Sequence, residues 1–368
     1  MNRETSIYLD LIRFTAAMFV FLTHAGWQQI SGGLLWQADY GREAVDVFFV
    51  LSGFVIGHVV ETRERSALGY AVARAARIYS VALPALALTF VLDRIAQPLR
   101  PELYIGWCCD ALGSRTWEYL GSLVFLNEIW SHHTPPGSAL PYWSLGFEVW
   151  YYVAFGLAFF APRPWNLIVA ALVLVAVGPG IAVLFPLWLL GFWCYRLSTR
   201  RLLGRGAGAA LCVGTLIAFF AYEHWAYRYG ELYTAFALSP ERLHDYAQDY
   251  IVGGLFALHL LGFCAVPAPF ASLLLRCERP IRWIAGATFT LYLFHVPLLH
   301  AVVALAPWPA GTWPTRALVF IGVPLLVLAL AEVTERRKAA WRRAILALLS
   351  KQGWAPPRPA RGQAPGPY

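Results

Sequence analysis

Charge is what this 368-residue chain has least of: 14% of its residues are Asp, Glu, Lys or Arg, against 59% hydrophobic. An ordinary soluble domain carries about 25% charged residues. A soluble core of this size would therefore lack the shell that keeps it in water, which excludes a soluble globular protein. Lysine is almost missing, at two residues against 27 arginines. The six cysteines (108, 109, 194, 212, 264 and 277) form no CxxC pair and no metal-ligand spacing, so no metal site is expected. Four of them sit in or beside apolar segments and read as packing residues; Cys108 and Cys109 are adjacent, with no partner assignable. No internal repeat is visible. The first apolar run has no clear A-x-A cleavage site and contains Arg13 and His24, so it reads as a retained helix and not as a signal peptide.

What is present is a series of apolar runs near 18–20 residues, roughly the length that crosses a hydrocarbon core about 30 Å thick. Ten spans are predicted, over 7–26, 45–60, 78–95, 142–161, 166–181, 182–196, 207–223, 250–266, 285–305 and 316–335. The stretch 118–130 is apolar but short, and reads as re-entrant or interfacial. The expected fold is all-α: a polytopic membrane protein with a transmembrane domain over 1–337. The tail over 338–368 is cytoplasmic and expected to be disordered toward its Pro-, Gly- and Arg-rich end.

A net charge of +8 could point to nucleic acid, but in such a chain the basic residues mark cytoplasmic loops. Arg63, Arg65, Arg74 and Arg77 fall on one side, with Arg196, Arg200, Arg201, Arg205, Arg276, Arg279, Arg282 and the basic residues from Arg336 onward. Both termini are then cytoplasmic. Were 118–130 a full span, every later loop would change side and this bias would largely reverse.

Ionisable groups inside a span are costly and point to function. The first span holds Asp10, Arg13 and His24. Arg13 and His24 are separated by about 1100° of helical turn, within about 20° of one face, and by about 16 Å along the axis. Arg13 could equally snorkel or pair with Asp10, and His24 could be an ordinary interfacial histidine. In the second span, Gly53 and Gly57 make a small-xxx-small packing pair, Ser52 precedes them, and Asp46 could cap the helix N-terminus.

Arg74 and Arg77, at i and i+3, suit a phosphate or pyrophosphate, or equally mark the inner surface and its anionic lipids. Glu148 lies well inside an aromatic helix with Ser144 one turn before it, and needs a partner or a structural hydrogen bond. Thr288, Tyr292 and His295 form a polar stripe that lines either a cavity or a helix contact.

Together the segments YLDLIRF…FLTH, VDVFFVLSGFVIG, RAAR, WSLGFEVWYY and TLYLFHVPLL resemble, in order, the acyltransferase-3 family of membrane acyltransferases. That family includes O-antigen and other polysaccharide O-acetylases. The resemblance implies His24 as the catalytic histidine, Glu148 as the family's span-five carboxylate, Arg13 as its intramembrane arginine, and Arg74 with Arg77 as its RxxR pair. It implies acetyl-CoA from the cytoplasm as donor, a sugar, polysaccharide or glycoconjugate hydroxyl as acceptor, and a multi-pass site in the inner or plasma membrane of a bacterium. Gly146-Phe147 departs from the usual polar pair before Glu148, and Ser80 replaces a common Pro. Many members carry a soluble extracellular domain after the last span, and none is seen in this sequence.

On this reading Arg74 and Arg77 hold the coenzyme A phosphates, the pantetheine arm passes Arg13, and His24 deprotonates the acceptor hydroxyl while Glu148 orients His24. Asp10, Asp46, Ser52, Ser144, Tyr292 and His295 are expected as further polar lining. A covalent acyl-histidine is a second route. The outer loop 224–249, rich in Tyr and charge, is a candidate for acceptor choice or a plain solvated loop. The rival function is a transporter or flippase of a lipid-linked or anionic solute, since intramembrane Arg, His and Glu occur there too. The acyl group, the acceptor and the oligomeric state leave no mark in the sequence, and no nucleic-acid partner is expected.

Overall fold

The computed structural model describes residues 1–35, 39–104, 115–130, 132–228, 242–266 and 268–352. Cys108 and Cys109, the middle of the loop 224–249 and the tail beyond residue 352 lie outside the described residues. Among the described residues every regular element is helical. Eight helices are long and apolar enough to cross a membrane.

Helix α1 (Arg3–Ala25) starts where the Asn2 side chain accepts from the Thr5 amide at 2.8 Å, satisfying one of the orphan donors of a helix N-terminus. A single turn, α2 (Gln28–Ser31), follows. Helix α3 (Gly41–Thr62) begins four residues before the expected span. This corrects the reading of Asp46 as a cap: Tyr40 is at the N-cap, and Asp46 lies in the second turn. Helix α4 (Ala67–Ala96) is capped by Ser66, whose hydroxyl accepts from Gly69 at 3.1 Å.

The segment 118–130 is no span. Helix α5 (Arg115–Leu123) stops after nine residues, and the chain turns back through Phe125 and Trp130, both at positive φ. Helix α6 (Tyr142–Phe160) follows, and is dense in Trp and Tyr. Helix α7 (Trp165–Val177) has 13 residues, about 20 Å of rise, shorter than the hydrocarbon core. Of the ten expected spans, α6 and α7 are the two outside the eight. Between α7 and α8 (Pro179–Thr199) the chain turns at Gly178, at φ +95°, three residues earlier than expected. A Cβ there would be 2.8 Å from the Trp130 backbone, so only glycine fits both the conformation and the space.

Helices α9 (Arg205–Arg228) and α10 (Arg242–Ala265) pack on each other. Two short helices, α11 (Ala268–Arg276) and α12 (Glu278–Ala285), precede α13 (Thr288–Leu305), so the expected span 285–305 divides at Gly286. Then come α14 (Trp313–Ala317), a π-helical turn over Leu318–Gly322, α15 (Val323–Ala331) and the surface helix α16 (Lys338–Lys351), which lies against α4.

Packing follows from two devices. Helix α3 crosses α8 at paired glycines: a Cβ on Gly53 would collide with the Trp188 carbonyl, and one on Gly191 with the Val50 carbonyl. Gly57 sits equally close to Tyr195 and Phe192. The expected small-residue contact is therefore real, and α8 supplies its second half. Helix α13 is the centre, packed against α1, α4 and α15, with most of its side chains buried, polar ones included. Its polar stripe must therefore face other helices or a cavity.

Candidate active site

Five helices enclose one polar cavity of about 60 Å³, room for a few water molecules. Arg13 of α1, Ser52 of α3, Arg74 and Arg77 of α4, Glu148 of α6 and Tyr292 of α13 all line it. Residues spread over the chain by up to 279 positions thus meet at one place.

The Glu148 carboxylate is held by neutral donors. Its Oε1 accepts from Ser52 Oγ at 2.7 Å and from the Tyr152 hydroxyl at 2.5 Å. The Trp188 indole donates to Ser52 Oγ at 3.1 Å, which fixes the serine in turn. Tyr152 is one helical turn after Glu148, so an i,i+4 reading of α6 would have found it.

The two RxxR arginines differ. Arg74 donates to Glu64 at 2.8 Å, and its guanidinium lies 5.6 Å and 5.7 Å from the Tyr70 and Tyr152 ring centroids. Glu64 lies in the turn between α3 and α4, where burial pushes its carboxyl up while Arg74 pulls it down. Arg77 lines the same cavity, and its guanidinium makes no hydrogen bond or ion pair among the described residues. Glu148 on the same cavity wall and Glu335 balance its charge at longer range, so a fork of five donors lines the cavity without a direct bond among the described residues.

Arg13 also lines the cavity and reaches Asp10 through one contact of 3.3 Å. Asp10 is held more closely by Arg282 of α12, at 2.9 Å, and Arg282 also pairs with Glu278 at 2.8 Å. Arg3 completes this network at Glu278. The alternatives for Arg13 are therefore both realised: it contacts Asp10 and faces the cavity.

Ser144 and Tyr292 close the cavity at its inner wall, their hydroxyls 2.6 Å apart. His24 is not among the lining residues. It is half-buried and turned into the bundle, where its Nδ1 lies 2.7 Å from the Val20 carbonyl and 3.0 Å from Nε2 of His295. The Nδ1 of His295 lies 2.9 Å from the Leu291 carbonyl. A carbonyl only accepts, so each Nδ1 carries the hydrogen, and the one hydrogen on Nδ1 of His24 is shared between the Val20 carbonyl and Nε2 of a neutral His295. Nε2 of His24 is then a lone pair with no partner among the described residues. The expected pairing of Glu148 with His24 is corrected: Glu148 is occupied by Ser52 and Tyr152, and His295 is the group behind His24.

Asp46 stands apart from the cavity. It is 2% exposed, in an acidic group with Glu43 and Asp249, and Arg42 holds Asp249 at 2.7 Å. Sequence reasoning also passed over Glu64, Tyr152 and His300, the last a buried histidine five residues beyond His295. Glu64 carried no local signal, since its partner lies ten residues on across a turn. Among the described residues no three His, Cys, Asp or Glu side chains gather where they could hold a metal ion.

Neither curated proteins nor solved structures give a match to this chain. A family model described as an acyltransferase domain does, over residues 6–348, and this range takes in α1 to α13 and with them every helix that lines the cavity and both imidazoles. The chain belongs to the acyltransferase-3 family of membrane acyltransferases.

Proposed function

We propose that the protein moves an acyl group, acetyl in the first instance, from a coenzyme A thioester to a hydroxyl of a sugar, polysaccharide or glycoconjugate. The observation that carries this reading is Arg77, a guanidinium that lines a polar cavity and makes no direct hydrogen bond or ion pair among the described residues. Its unused donors can take an anion, and arginine forks match phosphate oxygens. Arg13 on the opposite wall adds a second cation. On this reading the Arg74 end of the bundle faces the cytoplasm, both termini with it, and the membrane is the inner or plasma membrane of a bacterium.

When bound, the acyl-CoA supplies an activated thioester carbonyl and a thiol leaving group. Arg77 and Arg13 hold its phosphates, and Arg74 joins them if Glu64 yields. Tyr292 and Ser144 part to admit a narrow chain past their hydrogen bond toward His24. His24, about 16 Å along α1 from Arg13, takes the proton from the acceptor hydroxyl through Nε2 as the new C–O bond forms. His24 then returns that proton to the sulfur as the C–S bond breaks. His295 accepts from Nδ1 throughout and so holds the imidazole in register, the orienting part that a carboxylate plays in other triads. Glu148, Ser52 and Tyr152 shape the cavity wall.

The test is transfer of label from radiolabelled acetyl-CoA by the purified protein in nanodiscs, with a panel of saccharides as acceptors. Label passing to a saccharide supports the reading. Movement of an anionic solute by reconstituted vesicles, with no label transferred, would replace it with the carrier function.

A further inference from the structure

His300 is the other unusual imidazole. It is 4% exposed, and both Nδ1 and Nε2 are buried without a hydrogen-bond partner among the described residues. Buried polar groups are nearly always bonded, and two unbonded nitrogens on one ring can be satisfied by a ligand or by water. A neutral imidazole presents one donor and one acceptor at opposite edges. A hydroxyl group satisfies either, and a ring bearing several hydroxyls satisfies both.

The surroundings narrow the class. Trp27, at the start of α2, packs its indole 4.7 Å from the His24 ring and 6.4 Å from the His300 ring, centroid to centroid. Tyr104 meets His300 edge-on at 5.0 Å. His24 and His300 are within electrostatic reach of each other. One indole therefore touches both imidazoles, and an aromatic wall with a few polar points is the usual make-up of a small-molecule site. None of these three rings lines the arginine-lined cavity.

We propose that His300, with Trp27 and Tyr104, forms the acceptor subsite: it holds a hydroxyl of a pyranose ring whose neighbouring hydroxyl is presented to Nε2 of His24, while the C–H face of the ring lies on Trp27. The inference rests on the acyl-transfer reading and adds to it the place and chemistry of acceptor binding. His300 takes no proton in the reaction; it sets which hydroxyl reaches His24.

The test uses the full-length protein in nanodiscs and the variants His300→Phe and His300→Gln. Two rates are measured: acetyl-CoA hydrolysis to water without acceptor, and transfer to a panel of methyl pyranosides at saturating acetyl-CoA. His300→Phe keeps a flat ring and removes two unsatisfied nitrogens, so its thermal midpoint stays level or rises. Its hydrolysis of acetyl-CoA remains within about twofold of the parent, while the acceptor KM rises by about tenfold or more, the worth of one or two lost hydrogen bonds. His300→Gln restores a donor and an acceptor and recovers most of that loss. An unchanged acceptor KM in His300→Phe overturns the proposal, and a site holding only water gives that result. Hydrolysis and transfer falling together also overturn it, as does a parent protein that hydrolyses acetyl-CoA yet acylates none of the pyranosides. A parent inert toward acetyl-CoA in both assays instead removes the acyl-transfer reading, and this inference with it.

Discussion

The Glu64 carboxylate accepts from the Arg74 guanidinium at 2.8 Å, both side chains 13% exposed, and thereby occupies the arginine that a phosphate would otherwise bind. Its partner in the RxxR pair, Arg77, is left open to the cavity. One arginine of the pair is therefore available at once and the other only by exchange of anions.

That exchange has a measurable consequence. Glu64→Gln removes the competing charge but keeps a hydrogen-bond acceptor, so the KM for acetyl-CoA falls, by up to about tenfold, with kcat little changed. Arg77→Gln acts oppositely and raises that KM. If Glu64→Gln weakened donor binding instead, the carboxylate would be supporting Arg74 and not competing for it.

The imidazole pair predicts a split between binding and turnover. His24→Ala lowers kcat by about 10²–10⁴, the usual share of a general base, while the protein still inserts. His295→Leu lowers kcat with both KM values unchanged, because it orients His24 without touching substrate. His295→Gln, whose carbonyl can accept from Nδ1 of His24, restores most of the rate. Steady-state kinetics on the purified variants give the answer, and equal losses in the Leu and Gln variants would count against the orienting role.

The glycine crossing of α3 and α8 predicts a stability effect confined to positions where backbone meets backbone. Gly53→Ala and Gly191→Ala each force the two helices apart and cost about 1–3 kcal/mol or more. The double variant costs less than their sum, since one displacement relieves both clashes. Gly214→Ala on α9, where a Cβ meets nothing within 4 Å, serves as the neutral control. Thermal midpoints in detergent decide the matter, and a Gly53→Ala midpoint equal to the control would show that the crossing yields.

Acid stability tests the network at the start of α1. The hydrogen bond from Arg3, then that from Arg282, holds the Glu278 carboxyl down to about 2, from an ordinary 4.5. A carboxyl lowered in the folded state contributes stability above its ordinary value, and loses it as pH falls through the folded one. Glu278→Gln is therefore slightly less stable than the parent at neutral pH, and the gap closes between about pH 4.5 and 2. Arg3 is exposed and Glu278 half-buried at the protein surface, so salt also narrows the gap. A gap independent of pH would assign the effect to packing.

Much of this molecule is legible in one dimension. Apolar length is a local property, and so is the cost of burying a charge, which is why the spans of α1, α3, α4, α8, α9, α10 and α13 and the intramembrane Arg13, His24 and Glu148 stand out from the sequence alone. The helical repeat placed Arg13 and His24 on one face, and both do turn inward. Boundaries were harder to read. A break such as Gly178 depends on the Trp130 backbone packed against it, and the start of α3 depends on helical propensity in a polar lead-in that hydropathy ignores.

Partnership was not legible, for a physical reason. His24 and His295 are 271 residues apart, and Ser52 and Glu148 are 96 apart. Whether a carboxylate or a second imidazole stands behind His24 depends on how α13 is threaded between α1 and α4, and on the glycines that let α3 and α8 come close. The sequence by itself determined that this chain lives in a membrane and carries arginines, an imidazole and a carboxylate there. Only the tertiary structure decided that the carboxylate serves the cavity wall, that one histidine supports another, and that Arg77 is the arginine of its pair without a direct bond, because helix packing alone sets which side chains meet.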